Sequence, residues 1–348
     1  MFLLMEGLRR RGHDNVLLCP AGSRSEREAR ERGIACRAIP ARTEWNPANV
    51  WRVRAALRAA APDLVHLHTG RANWLGGLAA RPLHVPVITT RRMDRAVKRN
   101  VRTRLLYGSL VRRAVAISGA IERQLLAGGV RASMVRVIPS AVDAATLRPQ
   151  RTREAVRAAE GLDAETPCLL LLAALVRRKG IDVLLEALAR LAQEGLEPAL
   201  WIAGEGPERG ALERRAGGLG VSARVRFLGQ RADRADLLAA CDVVVLPSRQ
   251  EGLGVAALEA MALARPVVAT RVGGLGEAVV HERTGLLVPP DDVRALAEAL
   301  ARLLRDASLR ESLGAAGPAR LAQGYRPDQM VDAYERLYRE VLAEVEGP

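Results

Sequence analysis

Aromatic side chains make up only 3% of the 348 residues, so the core must be built mostly from Ala, Leu and Val. No aromatic-interleaved basic motif is present, and nucleic-acid binding is not expected. No apolar run reaches the roughly 18 to 20 residues that a membrane-spanning helix requires. The opening MFLLMEGLRRRGHD is too short and too charged for a signal peptide. The four cysteines, Cys19, Cys36, Cys168 and Cys241, form no C-x-x-C pair and lie in or beside apolar strand patterns. Buried free thiols in a reducing cytoplasm are the expectation. D-x-D, H-E-x-x-H and the P-loop pattern are all absent, which disfavours metal-dependent chemistry. His66 and His68 alternate onto one strand face but lack a carboxylate or thiol companion. Ser118-Gly119 has no G-x-S-x-G around it, so a serine hydrolase has no support.

Lysine is nearly absent too. Of 53 basic residues only Lys98 and Lys179 are lysines, which makes Lys179 conspicuous. The net charge of +14 is unevenly spread: residues 1–150 hold 27 basic and 10 acidic residues, leaving 26 and 29 for residues 151–348. A first half so basic is expected to face something anionic. Its densest cluster is Arg91, Arg92, Arg95, Lys98, Arg99, Arg102 and Arg104.

Short apolar strands alternating with helices run the length of the chain, the pattern of a parallel sheet covered on both faces. Strands are expected at 15–19, 35–38, 64–68, 86–90, 114–117 and 135–138, and after a linker within 139–167 at 168–174, 199–203, 225–228, 243–246, 266–270 and 286–288. Two doubly wound, Rossmann-like domains facing a cleft follow, spanning 1–147 and 165–324, with the amphipathic helix 327–346 joining the first. A doubly wound domain normally opens with a strand and a Gly-rich turn. Here the chain starts inside the helix that should come next, so the first strand of the first domain is expected to be missing.

The stretch SRQEGLGVAALEAM follows the apolar strand 243–246. Residues 255–264 are apolar except Glu259, so this carboxylate is drawn into a core and needs a partner or a ligand. A pair with Arg265 or Arg271 is the structural alternative. Glu251 lies in the strand-to-helix loop, where open α/β sheets bind ligands. Gly252 and Gly254 let backbone approach a guest at the helix N-terminus, where N–H groups favour anions. Lys179, in LVRRKG after the strand 168–174, sits at a cleft-facing strand end and suits a phosphate; Arg177 and Arg178 precede it. Gly204 and Gly206 in AGEGP do not complete a dinucleotide fingerprint but suit a loop lining a nucleotide site. Leu228 and Arg231 close another strand, where backbone could hold a base edge and Arg231 could pack on its face.

These pieces, in order and over nearly the whole chain, resemble glycosyltransferase family 4, retaining enzymes of GT-B fold. The resemblance rests on E-x7-E from Glu251 to Glu259, with RRGHD, PDLVHLH, AISGAI, VIPSAVD, LVRRKG, AGEGP, VRFLG and GLLVPP. It implies a UDP-, GDP- or ADP-sugar donor and no further cofactor. Lys179 would contact the diphosphate and Glu251 the donor-sugar hydroxyls. The amides of Gly252, Leu253, Gly254 and Val255 would cap sugar and phosphate, and Glu259 would hold the ribose. The acceptor, a glycan or lipid-linked molecule of envelope polysaccharide synthesis, would engage the first domain near Arg91 and Arg92. That basic domain also suits peripheral contact with an anionic membrane on its cytoplasmic side. Three departures from the family pattern stand out. Ala173-Ala174 replaces a frequent Gly-Arg, Thr89-Thr90-Arg91-Arg92 stands where a strand commonly ends in histidine, and the first Gly-rich loop is lacking. A nucleotide-sugar-binding module without catalysis, or another GT-B enzyme such as a sugar-nucleotide epimerase, are the rival readings.

Overall fold

The computed structural model describes residues 1–40 and 47–346, which form two compact units. The first comprises residues 1–141 and the C-terminal helix Pro327–Glu346; the second comprises residues 142–326.

In the first unit β1 (Leu17–Pro20) and β2 (Cys36–Ile39) form a parallel pair. A separate parallel sheet contains β3 (Val65–Leu67), β4 (Val87–Arg91), β5 (Arg113–Ala116) and β6 (Val135–Val137), in that order. No ladder joins β1 to β3 among the described residues. The helix Pro327–Glu346 lays an apolar stripe of Met330, Val331, Tyr334, Leu337 and Val341 on Ile88, Val115 and Ile138, joined by Leu4 and Leu8. Burying side chains of this size contributes roughly 1.5–3 kcal/mol each, which anchors the terminal helix to a sheet far from it in sequence. Arg11 ties its polar face down by pairing with Asp332 and Glu335.

The second unit is a six-stranded parallel sheet in the order β12-β11-β10-β7-β8-β9. Its strands are β7 (Cys168–Leu172), β8 (Ala199–Ala203), β9 (Val225–Gly229), β10 (Val243–Leu246), β11 (Val267–Thr270) and β12 (Gly285–Val288). β7, β8, β10 and β11 are buried along their whole length, as strands covered on both faces must be. The chain winds outward from β7 through β8 to β9, then returns to the other side of β7 with β10. Strand order therefore reverses between β7 and β10, and a ligand crevice opens outside the carboxyl ends at such a point. The stretch expected to be a linker belongs to this unit. Its helix Arg153–Ala159 packs on the helix Arg234–Ala240, and the buried Arg157 donates to the carbonyls of Asp163, Thr166 and Ala240. Cys19, Cys168 and Cys241 are buried free thiols, and burial pushes Cys241 up to about 12; Cys36 is only half-buried. No helix among the described residues is long and apolar enough to cross a membrane.

Candidate functional site

The loops leaving β7 and β10 at the switch point carry Lys179 and Glu251. After β7 the chain makes a short 3-10 turn, Arg177–Lys179, and Gly180 follows with φ +65°. A Cβ on Gly180 would lie 1.9 Å from the carbonyl oxygen of Pro247, so only glycine lets the two loops touch. The amides of Arg249 and Gln250 both donate to the Arg178 carbonyl, at 2.8 and 3.3 Å. This backbone seam sets the two charges against each other: Lys179 Nζ donates to Glu251 Oε2, and Ser248 Oγ lies 3.4 Å from the same oxygen. Both charged side chains are largely shielded from water.

Arg249, inside the quoted motif but not singled out from sequence, clamps the seam. Its guanidinium donates to both oxygens of Asp182 at 2.8 Å, to Asp291 at 2.6 Å and to the Arg177 carbonyl at 2.8 Å. Burial acts to raise the Asp182 carboxyl, and the Arg249 bonds outweigh it, holding the group below its ordinary value. The signal available in sequence was a cation between Ser248 and Glu251; its partners lie 67 and 42 residues away.

Gly252, Leu253 and Gly254 are buried, and Val255, 40% exposed, opens the helix Val255–Ala262. No side chain caps this helix, whose N-cap is Gly254 at φ +84°. The turn after β11 braces the loop from behind. Gly274 N donates to the Glu251 carbonyl at 3.2 Å, and a Cβ on Gly254 would meet Leu275 Cδ2 at 2.3 Å. An uncapped helix start held this rigidly offers N–H groups to an anion.

Glu259 is 6% exposed within that helix, as its apolar surroundings predicted. Its partner is neither Arg265 nor Arg271 but Arg234, whose Nη1 lies 3.0 Å from one carboxylate oxygen and 3.2 Å from the other. Arg265 instead bonds to the Cys241 carbonyl. Burial raises the Glu259 carboxyl and Arg234 opposes it; the raised value wins.

Arg231 is engaged by Asp233 at 2.7 and 2.6 Å and by Glu160 at 2.7 Å, so its guanidinium sits in a carboxylate network. Gly204 and Gly206 are needed because backbone fills the space beside them. A Cβ would lie 1.8 Å from the Ala173 carbonyl oxygen at the first and 2.3 Å from that of Leu175 at the second. They brace the loop after β7, with Leu175 N donating to the Glu205 carbonyl at 2.9 Å. Leu228 is half-buried within β9, and Arg178 points its side chain into solvent.

In the first unit Arg91 ends β4 and Arg92 follows it, at the carboxyl edge of the sheet. Arg91 donates to the Arg95 carbonyl, and Arg92 to Ser140 Oγ at 2.9 Å. His66 is held by Tyr338 and Thr90, each at 2.7 Å. His68 lies beside it with ring centroids 4.0 Å apart, and burial followed by the nearby Arg92 lowers it to about 3.

Comparison with known proteins places this geometry. The family described as Glycosyltransferase Family 4 matches residues 1–146, and that described as Glycosyl transferases group 1 matches residues 166–306. The D-inositol 3-phosphate glycosyltransferase of Jonesia denitrificans is 32% identical over 317 residues, covering 82% of this chain and 74% of its own. The lipopolysaccharide core biosynthesis glycosyltransferase LpsE of Rhizobium meliloti is 38% identical over 174 residues, half of each chain (50% and 50%). Among solved structures, a glycosyltransferase from Rickettsia africae superposes with a TM-score of 0.87 at 19% identity, covering 98% of this chain and 93% of its own. HepE of Anabaena in complex with UDP-glucose superposes with a TM-score of 0.85 at 22% identity, covering 97% and 94%. The architecture of two parallel-sheet units is thus that of the GT-B fold.

Proposed function

The chain belongs to glycosyltransferase family 4, and from that footing we propose that it moves a sugar, with retained configuration, from a nucleoside-diphosphate-sugar held by its second unit to a glycan or glycolipid acceptor. The observation that carries the reading is the Lys179–Glu251 pair at the switch point, beside an uncapped helix start. Each charge satisfies the other. A donor would replace both partnerships at once: its diphosphate takes the ammonium, and its sugar hydroxyls donate to the carboxylate.

During transfer the sugar becomes oxocarbenium-like while negative charge grows on the departing diphosphate. Lys179 and the amides of residues 252–255 are aimed where that charge would develop, and charge stabilisation by fixed donors is the largest single contribution in such sites. Arg178, exposed on the same turn, is the cation available to stand in for the one that Ala173-Ala174 lacks. Glu259 would accept from the ribose. Lys179→Ala and Glu251→Ala are each expected to lower transfer by roughly 10²–10³-fold, as for loss of one transition-state donor, while the protein stays folded. Near-normal transfer in both variants would sink the assignment.

The acceptor reading rests on the first unit's charge. Arg95, Lys98 and Arg99 are exposed beside the exposed apolar Met93 and Val101, a combination that suits a phosphorylated glycolipid at an anionic membrane surface. Two relatives are named for a phosphorylated inositol acceptor and for lipopolysaccharide core synthesis, which supports an anionic or envelope-linked acceptor.

A further inference from the structure

Arg234 opens the helix Arg234–Ala240 and reaches a carboxylate on a different helix. A single nitrogen, Nη1, straddles both oxygens of Glu259 at 3.0 and 3.2 Å. The two ends differ in environment: the Glu259 side chain is 8% exposed and that of Arg234 is 53%. Among the described residues Arg234 is the single charged group acting on this carboxyl, and it works against the effect of burial.

An ionised carboxylate offers about four lone-pair positions over its two oxygens. Arg234 Nη1 donates to Oε2 at 3.2 Å and stands 3.0 Å from Oε1 as a charge contact, so both oxygens can accept from a further donor. A vicinal diol carries two O–H groups at matching separation, and in a nucleotide that diol is the ribose.

We infer that Arg234 is a positioning residue for the nucleoside: its hydrogen bond and charge hold the Glu259 carboxylate in place so that its oxygens accept from the 2′- and 3′-hydroxyls. The inference rests on the reading of Glu259 as the ribose contact. Without the guanidinium the carboxyl would stay buried with nothing to favour its charged form. It would then take up a proton at higher pH than in wild type, lose an acceptor and present a donor instead. Because Arg234 itself is half in water, its removal should leave the fold standing.

The test is calorimetric binding of UDP and of 2′-deoxy-UDP to wild type, Arg234→Met, Arg234→Lys and Glu259→Gln between pH 5.5 and 8.5. GDP or ADP and their deoxy forms replace the uridine pair if wild type prefers them. Wild type should favour the ribonucleotide, and Glu259→Gln should lose that preference. Arg234→Met should bind UDP about tenfold more weakly at pH 7, as for loss of a charge-assisted contact, with a smaller loss for the deoxy form. Its affinity should fall further as the pH is lowered, along a limb displaced to higher pH than that of wild type. Arg234→Lys should recover most of the loss. If Arg234→Met binds UDP like wild type with the same pH profile, while Glu259→Gln still loses the ribose preference, the role of Arg234 is overturned alone. If Glu259→Gln keeps the preference, or no nucleoside diphosphate binds, the reading of Glu259 falls and the inference falls with it.

Discussion

In the second unit the candidate charges are paired and braced: Lys179 with Glu251, Arg249 with Asp182 and Asp291, Arg234 with Glu259. In the first unit Arg91 and Arg92 donate to a carbonyl and a hydroxyl, while Arg95, Lys98 and Arg99 lie in solvent. The contrast separates two kinds of recognition. Charges fixed by backbone seams and shielded from water act at set points on a small ligand, and salt screens them little. Exposed arginines act as a diffuse field suited to a large anionic surface, and salt screens them strongly.

The largest way to disturb this contrast is to break the seam itself. Gly180→Ala puts a left-handed residue and a Cβ against the Pro247 carbonyl, and should destabilise the second unit by on the order of 3 kcal/mol. Denaturant unfolding would show it, and an unchanged midpoint would mean that the two loops can separate freely. Arg249→Met keeps the backbone but releases the clamp, and should weaken nucleotide binding by about tenfold, judged from charged hydrogen bonds elsewhere. It should also alter the acid side of stability. Asp182 is held below its ordinary value in the folded protein, so its contribution is present above about pH 3.9, the unfolded value, and is lost as pH falls through the folded one. The variant lacks that contribution, so acid unfolding should begin at higher pH than in wild type. The smallest effect on donor chemistry should come from Arg95, Lys98 and Arg99 changed together to Gln. Nucleotide affinity should hold within twofold or so, while co-sedimentation with anionic vesicles should drop and lose most of its salt dependence. Equal partitioning of wild type to neutral and anionic vesicles would count against the membrane surface altogether.

The same contrast explains what could be read from the sequence. Apolar runs and glycines mark local necessities, so the alternating strands and helices, the loop 248–254 and the burial of Glu259 were all legible. Pairing is a tertiary fact. Arg265 and Arg271 are close to Glu259 in sequence, yet the helix Arg234–Ala240 delivers the partner, Arg234, from 25 residues away. The partner of Arg231 is likewise distant: Glu160, in the stretch expected to contain the linker, reaches it across 71 residues. Gly204 and Gly206 signalled close approach correctly, but backbone of the neighbouring loop makes that approach.

The Lys179–Glu251 pair is where the account is most exposed to test. Titrating Lys179→Met and Glu251→Gln with a nucleoside diphosphate and with its sugar conjugate separates the two assigned contacts. Lys179→Met should lose affinity for both ligands alike, because both carry the diphosphate. Glu251→Gln should keep its affinity for the diphosphate and lose only what the sugar adds. If Lys179→Met binds both ligands as wild type does, or Glu251→Gln weakens both equally, the pair is a structural ion pair and not the donor clamp.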